Sequence, residues 1–208
     1  MVRVKTARHP APCPTYESFR AQMKTGDVLA FSGKSRTSRL IRWATRSPYS
    51  HVGLLWVARL PGGFGQSVML IESTTLVDLP DAVTRRMHKG VQLHFASQRI
   101  AAYPGKVWWV PLREPLKPAQ QRRMERWLRE THCRQVAYDR AQALGAAFDL
   151  FDSLGLANEP DFSALFCSEL VARALQVAGL VDASMNPSEL TPHDVVQLPC
   201  FRPPVLLK

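Results

Sequence analysis

Three side chains in this sequence have the types and the settings for covalent acyl chemistry. His51 opens the apolar run Ser50-His-Val-Gly-Leu-Leu, Glu72 closes Met69-Leu-Ile-Glu, and Cys167 lies within Phe166-Cys-Ser-Glu-Leu-Val-Ala. A thiol that attacks, an imidazole that moves its proton and a carboxylate that fixes the imidazole are the parts of a cysteine-nucleophile hydrolase. Each also has an ordinary reading: a free cysteine packs as a small hydrophobe, a lone histidine is commonly structural, and a strand-end glutamate commonly faces water. The catalytic reading therefore requires that the three meet in space.

The elements that would bring them together are legible in the pattern. Residues Ala164–Ala178 have helical periodicity, with Leu170, Val171, Ala174 and Ala178 on the stripe that also carries Cys167, and Gly179 supplies a C-terminal stop. This spacing predicts Cys167 in the first turn, where unpaired amide hydrogens favour a thiolate and include its own as an oxyanion donor. His51–Ala58 and Ser67–Thr75 read as strands around a Pro-Gly-Gly-Phe-Gly connection. By alternation Glu72 shares a face with Leu70 and Val68, so its carboxylate points inward and needs a cationic partner such as an imidazolium.

Further expected elements are a helix at Thr15–Lys24, a strand at Val28–Phe31 and a helix at Arg36–Arg46 with Leu40, Trp43 and Ala44 inward. Strands follow at Val91–Phe95 and Lys106–Leu112, then helices at Pro118–Thr131, Asp139–Leu150 and near Thr191–Val196. The plan is α+β. Residues 1–14, with Pro10, Pro12 and Pro14, read as a flexible arm, and 15–208 as one domain. Within it, 76–105 has the least regular pattern and is expected to form a lid or an insertion.

Composition narrows the class. With 208 residues, 46% hydrophobic and 21% charged, the chain can bury a core without disulfides. Its four cysteines (Cys13, Cys133, Cys167, Cys200) form no Cys-x-x-Cys pair. No apolar run follows the basic N-terminus and none is long enough to span a bilayer, so a cytoplasmic location is expected.

The segments Thr25-Gly-Asp-Val-Leu-Ala-Phe, Ser50-His-Val-Gly-Leu, Leu70-Ile-Glu-Ser and Phe166-Cys-Ser-Glu-Leu resemble the circularly permuted NlpC-type branch of the papain-like cysteine hydrolases, the YiiX/YebB-like group. The likeness spans about residues 15–200 and takes in Tyr138-Asp139 and Pro187-Ser-Glu-Leu-Thr-Pro. Its specific element is order, because histidine and glutamate precede the cysteine, whereas non-permuted relatives begin with the cysteine. The resemblance implies a papain-like fold in which the nucleophile helix packs on an antiparallel sheet carrying the base. It makes Cys167 the nucleophile, His51 the base and Glu72 the orienting residue of an amidase, peptidase or esterase working through a thioester. Related lecithin-retinol acyltransferases carry Asn-Cys-Glu-His at the nucleophile. The Phe-Cys-Ser-Glu of this chain places acyl transfer to other acceptors behind hydrolysis.

Charge suggests the partner. Eleven of the 27 Lys and Arg residues but only two of the 17 Asp and Glu residues lie within 1–71, and no acid occurs between Val28 and Ile71. Arg36, Arg39, Arg42 and Arg46 lie just before the His51 turn, and with Tyr49 they are the candidate substrate-binding residues. They suit a peptide, small-molecule or lipid-like substrate that is acidic, or an anionic membrane surface. A solvated helix face is the ordinary reading of the same stripe. Nucleic acid is not expected, because no aromatic stacking pattern is interleaved with the charge. A metal held by Cys167, His51 and Glu72, with His94 or His193 as fourth ligand, ranks low, and no cofactor is expected. A papain-like module that only binds lipid or peptide through Arg36–Arg46 is the non-catalytic alternative.

Overall fold

The computed structural model describes residues 15–59, 65–134 and 163–208. The arm 1–14, the connection 60–64, Tyr138 and the helix expected at Asp139–Leu150 lie outside the described residues. The described chain is α+β, with one antiparallel sheet in the order β4-β3-β2-β1-β5-β6. Its strands are β1 (Val28–Ser32), β2 (His51–Arg59), β3 (Gln66–Thr74), β4 (Gly90–Phe95), β5 (Lys106–Val110) and β6 (Val205–Leu206). The helices are α1 (Tyr16–Phe19, continued by a 3-10 turn), α2 (Arg36–Ala44), α3 (Ala96–Ala102), α4 (Pro118–Cys133), α5 (Ser163–Ala178) and α6 (Pro192–Gln197). The helix α3 and the strand β6 are not among the elements expected from the sequence.

Alternation along the strands sorts the side chains into two cores. Val28, Ala30, Val52, Leu54, Met69 and Ile71 face one side, together with the α5 stripe Leu170, Val171, Ala174, Leu175 and Ala178. Leu29, Phe31, Leu55, Val68 and Leu70 face the other, beneath Ala96, Ile100 and Tyr103. Thus α5 lies across β2 and β3 on one face, backed by α4 and α6, and α3 covers the other. The stop of α5 is as expected: Gly179 takes φ 74° and the Leu180 amide donates to the Leu175 carbonyl.

The inward residues of α2 differ from expectation. Ile41 is buried, but Trp43 is 69% exposed. Arg42 donates to the Ser32 hydroxyl at 3.0 Å, so the inward side runs through Ile41 and Arg42 rather than Trp43. A residue two positions beyond Ile41 sits roughly 200° around the helix, on the far side.

The segment 76–105 is integrated with the sheet over much of its length. Gly90–Phe95 pairs with β3 as the edge strand, and α3 follows directly. The preceding residues are pinned as well. The Gln92 amide donates to the carbonyls of Leu76 and His88, Asp81 accepts from the amides of Val83, Thr84 and Leu93, and Arg99 pairs with Asp78. Residues 76–105 thus supply the edge strand β4 and the helix α3, with 76–89 held against them by these contacts.

Candidate active site

His51 is the first residue of β2 and Glu72 lies near the end of its antiparallel neighbour β3, so both stand at one end of the sheet. Their side chains share the face that carries Leu55 and Leu70. The register aligns Leu54 with Ile71, which sets Glu72 diagonal to His51 with Gly53 between them. A β-carbon at Gly53 would stand 3.1 Å from the Glu72 β-carbon and 2.8 Å from Leu70 Cδ1. The missing side chain lets the carboxylate cross β2 and reach the imidazole, where Glu72 Oε2 meets His51 Nε2 at 2.5 Å. Glu72 is fully buried and His51 is 7% exposed. The inward carboxylate with an imidazole partner is as the strand pattern predicts.

Cys167 arrives from α5 on the opposite face and is fully buried. Its side chain hydrogen-bonds His51 at the sheet end. With Nε2 engaged by Glu72, Nδ1 is the ring nitrogen left for the thiol. Two neighbours fix this part of α5: the Ser168 hydroxyl donates to the Leu190 carbonyl, and the Ser188 hydroxyl donates to Glu169 at 3.2 Å. The Pro187–Glu189 turn therefore braces the cysteine helix. One expectation is corrected. Because α5 begins at Ser163, Cys167 is its fifth residue, and its amide belongs to the i→i−4 ladder rather than to the free first turn. The Cys167 amide is thus no oxyanion donor in this conformation.

Electrostatics tie the three groups together. Burial pushes the His51 imidazole down. The charge and hydrogen bond of Cys167 and the hydrogen bond and charge of Glu72 outweigh this, and its pKa rises to about 10. Burial likewise pushes Glu72 up, but Arg99 and then His51 hold its carboxyl at about 2.

Sequence reasoning missed Arg99. From α3 its Nε lies 2.7 Å from Glu72 Oε1, its Nη1 contacts Asp78 at 3.1 Å, and the residue is fully buried. Its guanidinium also stands 5.6 Å from the Tyr103 ring centre. The signal was present: Ala96, Arg99, Ile100 and Tyr103 follow the i, i+3, i+4, i+7 stripe of an inward helix face. A charge on such a stripe implies a buried partner. His94 lies beside the pair, 3.8 Å from Glu72 Oε1 and 2.8 Å from Gln92 Oε1, and burial pushes its pKa down.

Tyr49 is buried with its ring edge-on to Trp108 at 5.2 Å. Arg42 is tied back to Ser32 and to the Ser38 carbonyl, while Arg39 and Arg46 are exposed. One Glu72 oxygen faces His51 and the other faces the Arg99 cation, and the described residues contain no group of three or more His, Cys, Asp or Glu side chains arranged to hold an ion.

No family model matches the chain, and no curated protein matches it. Its structure is similar to the crystal structure of the metalloprotein yiiX (DUF1105) from Escherichia coli O157:H7, with a TM-score of 0.52 and 19% identity over 87% of this chain and 96% of that one. At that identity the likeness is one of fold: the chain has the α+β architecture of yiiX, with a six-stranded antiparallel sheet and packed helices.

Proposed function

We propose that this protein is a cysteine-nucleophile hydrolase of the permuted papain-like type, acting on an amide or ester through a thioester intermediate. The observation that supports the reading is the continuous chain from the Cys167 thiol through His51 to Glu72, in which both partners raise the pKa of the imidazole. In the proposed reaction the Cys167 thiolate attacks the substrate carbonyl to form a tetrahedral adduct. His51 gives its proton to the departing amine or alcohol as the adduct collapses to the thioester. Water then adds to the thioester with His51 accepting a proton, and the carboxylic acid leaves as the thiol is restored. Glu72 holds the Nε2 side of the ring throughout.

Full burial of Cys167 supports a second reading, a papain-like module that binds without turnover. Alkylation of each cysteine against pH, mapped by mass spectrometry, separates the two. Under the hydrolase reading Cys167 is labelled near neutral pH and outpaces Cys200, whose thiol burial pushes up to about 11. Incubation with panels of amides, esters and thioesters then yields an acyl adduct on Cys167. A Cys167 inert to small alkylating reagents across the pH range, with no adduct from any panel, leaves the binding module in its place.

A further inference from the structure

The end of the sheet that carries His51 and Glu72 also carries most of the exposed apolar side chains. Among the described residues six large hydrophobic side chains are exposed: Trp43, Leu76, Val77, Val83, Met87 and Phe95. The first five lie on α2 or on the loop 76–89. The antiparallel register puts both elements at one end: α2 connects the end of β1 to the start of β2, where Phe31 faces His51, and the loop connects Thr74 of β3 to Gly90 of β4. Phe95, at 37%, is at the opposite end of its strand.

Cations are interleaved with these apolar groups. On α2 they are Arg36 and Arg39, with Arg46 just after it, and on the loop Arg85, Arg86 and Lys89, all exposed. Opposing charge is absent or already used. No acid occurs from Val28 to Ile71, and the two acids of the loop are paired, Asp78 with Arg99 and Asp81 with the buried His132. The loop is tied to β4, since the Gln92 amide donates to the Leu76 and His88 carbonyls and the Leu93 amide donates to Asp81. Its apolar side chains Leu76, Val77, Val83 and Met87 stand in water.

We infer that this end of the molecule docks on an anionic membrane surface, with Trp43, Val83 and Met87 entering the headgroup boundary and the α2 and loop cations pairing lipid phosphates. An exposed indole beside cations is the interfacial combination, since the ring partitions to the headgroup level and the charges meet the surface potential. A polyanion such as nucleic acid satisfies the cations but gives Val83 and Met87 nothing to enter. The inference concerns where the protein works rather than the bond it breaks, so it stands or falls separately from the thiol chemistry.

Co-sedimentation of the full chain with vesicles tests it. Vesicles of phosphatidylcholine alone are compared with vesicles of equal parts phosphatidylcholine and phosphatidylglycerol. Binding is expected to the mixed vesicles only, and to fall as salt is raised. Arg36→Gln/Arg39→Gln/Arg46→Gln, with Arg42 kept because it is tied to Ser32, is expected to weaken binding roughly a hundredfold. Trp43→Ala is expected to weaken it roughly tenfold. All four side chains are solvent-facing, and thermal melting checks that each variant folds. Three outcomes overturn the inference: no sedimentation with the anionic vesicles, equal sedimentation with neutral ones, or loss with the arginine variant but not with Trp43→Ala while duplex DNA competes fully. The last assigns the patch to nucleic acid.

Discussion

Among the described residues two buried carboxylate–imidazole contacts are of hydrogen-bond length, and their surroundings differ. Glu72 meets His51 at 2.5 Å and Asp81 meets His132 at 2.7 Å; both carboxylates are fully buried and both histidines are 7% exposed. The surroundings separate them. Asp81 spends its other capacity on the amides of Val83, Thr84 and Leu93, which together with His132 outweigh burial and drive its pKa far down. That pair anchors the loop 76–89 to α4. Glu72 accepts no backbone amide hydrogen bond among the described residues, is balanced by Arg99, and leaves the far side of His51 to a thiol. A carboxylate clamped by amides builds structure. The same pair balanced by a side-chain cation and hydrogen-bonded to a thiol is the arrangement that the proposed proton transfer requires.

Substitution of the two histidines should divide the pairs most sharply. His51→Ala is expected to slow alkylation of Cys167 at neutral pH by roughly a hundredfold or more, whereas His132→Ala leaves that rate unchanged and lowers the melting temperature. Equal slowing in both variants would mean that the thiol senses general loosening rather than its own base.

Removing the carboxylates comes next. Asp81→Ala strands three amides and His132, and is expected to lower stability by about 3–5 kcal/mol in urea unfolding without touching Cys167 reactivity. Arg99→Met is expected to destabilise by a similar amount, because it leaves Glu72 without its strongest cation. It should differ from Asp81→Ala in also changing the pH profile of Cys167 alkylation, which a purely structural role would leave in place.

A smaller effect is expected at the crossing point. Gly53→Ala intrudes on the Glu72 and Leu70 side chains and should cost about 1–3 kcal/mol, with the Glu72–His51 contact displaced in a crystal structure of the variant. An undisturbed contact would show that the carboxylate does not need the open path.

The gentlest probe is pH. Glu72 sits at about 2 when folded against an ordinary 4.5, so its stabilisation is present above 4.5 and is lost as pH falls through about 2. His51 sits at about 10 against an ordinary 6.5, so its stabilisation is complete below 6.5 and is lost as pH rises through about 10. Unfolding free energy measured across this range should therefore slope away on both sides of a plateau. His51→Gln should flatten the alkaline slope, and a slope that persists unchanged would assign it to other groups.

Much of the site was legible because strands and helices repeat with fixed periods. Alternation alone turned Glu72 inward, and the α5 stripe alone placed Cys167 among buried residues. Trp43 shows the limit of the same reasoning. Periodicity gives the angle between Ile41 and Trp43 but not which of them the sheet will cover, and α2 has only the sheet end to lean on. Arg99 was hidden because the helix that carries it was not apparent in a mixed segment.

By itself, then, the amino-acid sequence determined the α+β plan, the inward face of Glu72, the buried stripe that carries Cys167, and the concentration of positive charge around α2. Tertiary structure decided that a thiol from one face of the sheet reaches an imidazole from the other and that Gly53 opens the way between Glu72 and His51. It also decided that Arg99 balances the carboxylate and that Trp43 stands in solvent. The physical reason is that periodicity fixes a side chain only relative to its own element. Contact between elements depends on strand register, on which small residue lies between, and on how buried charges find one another once the sheet has closed.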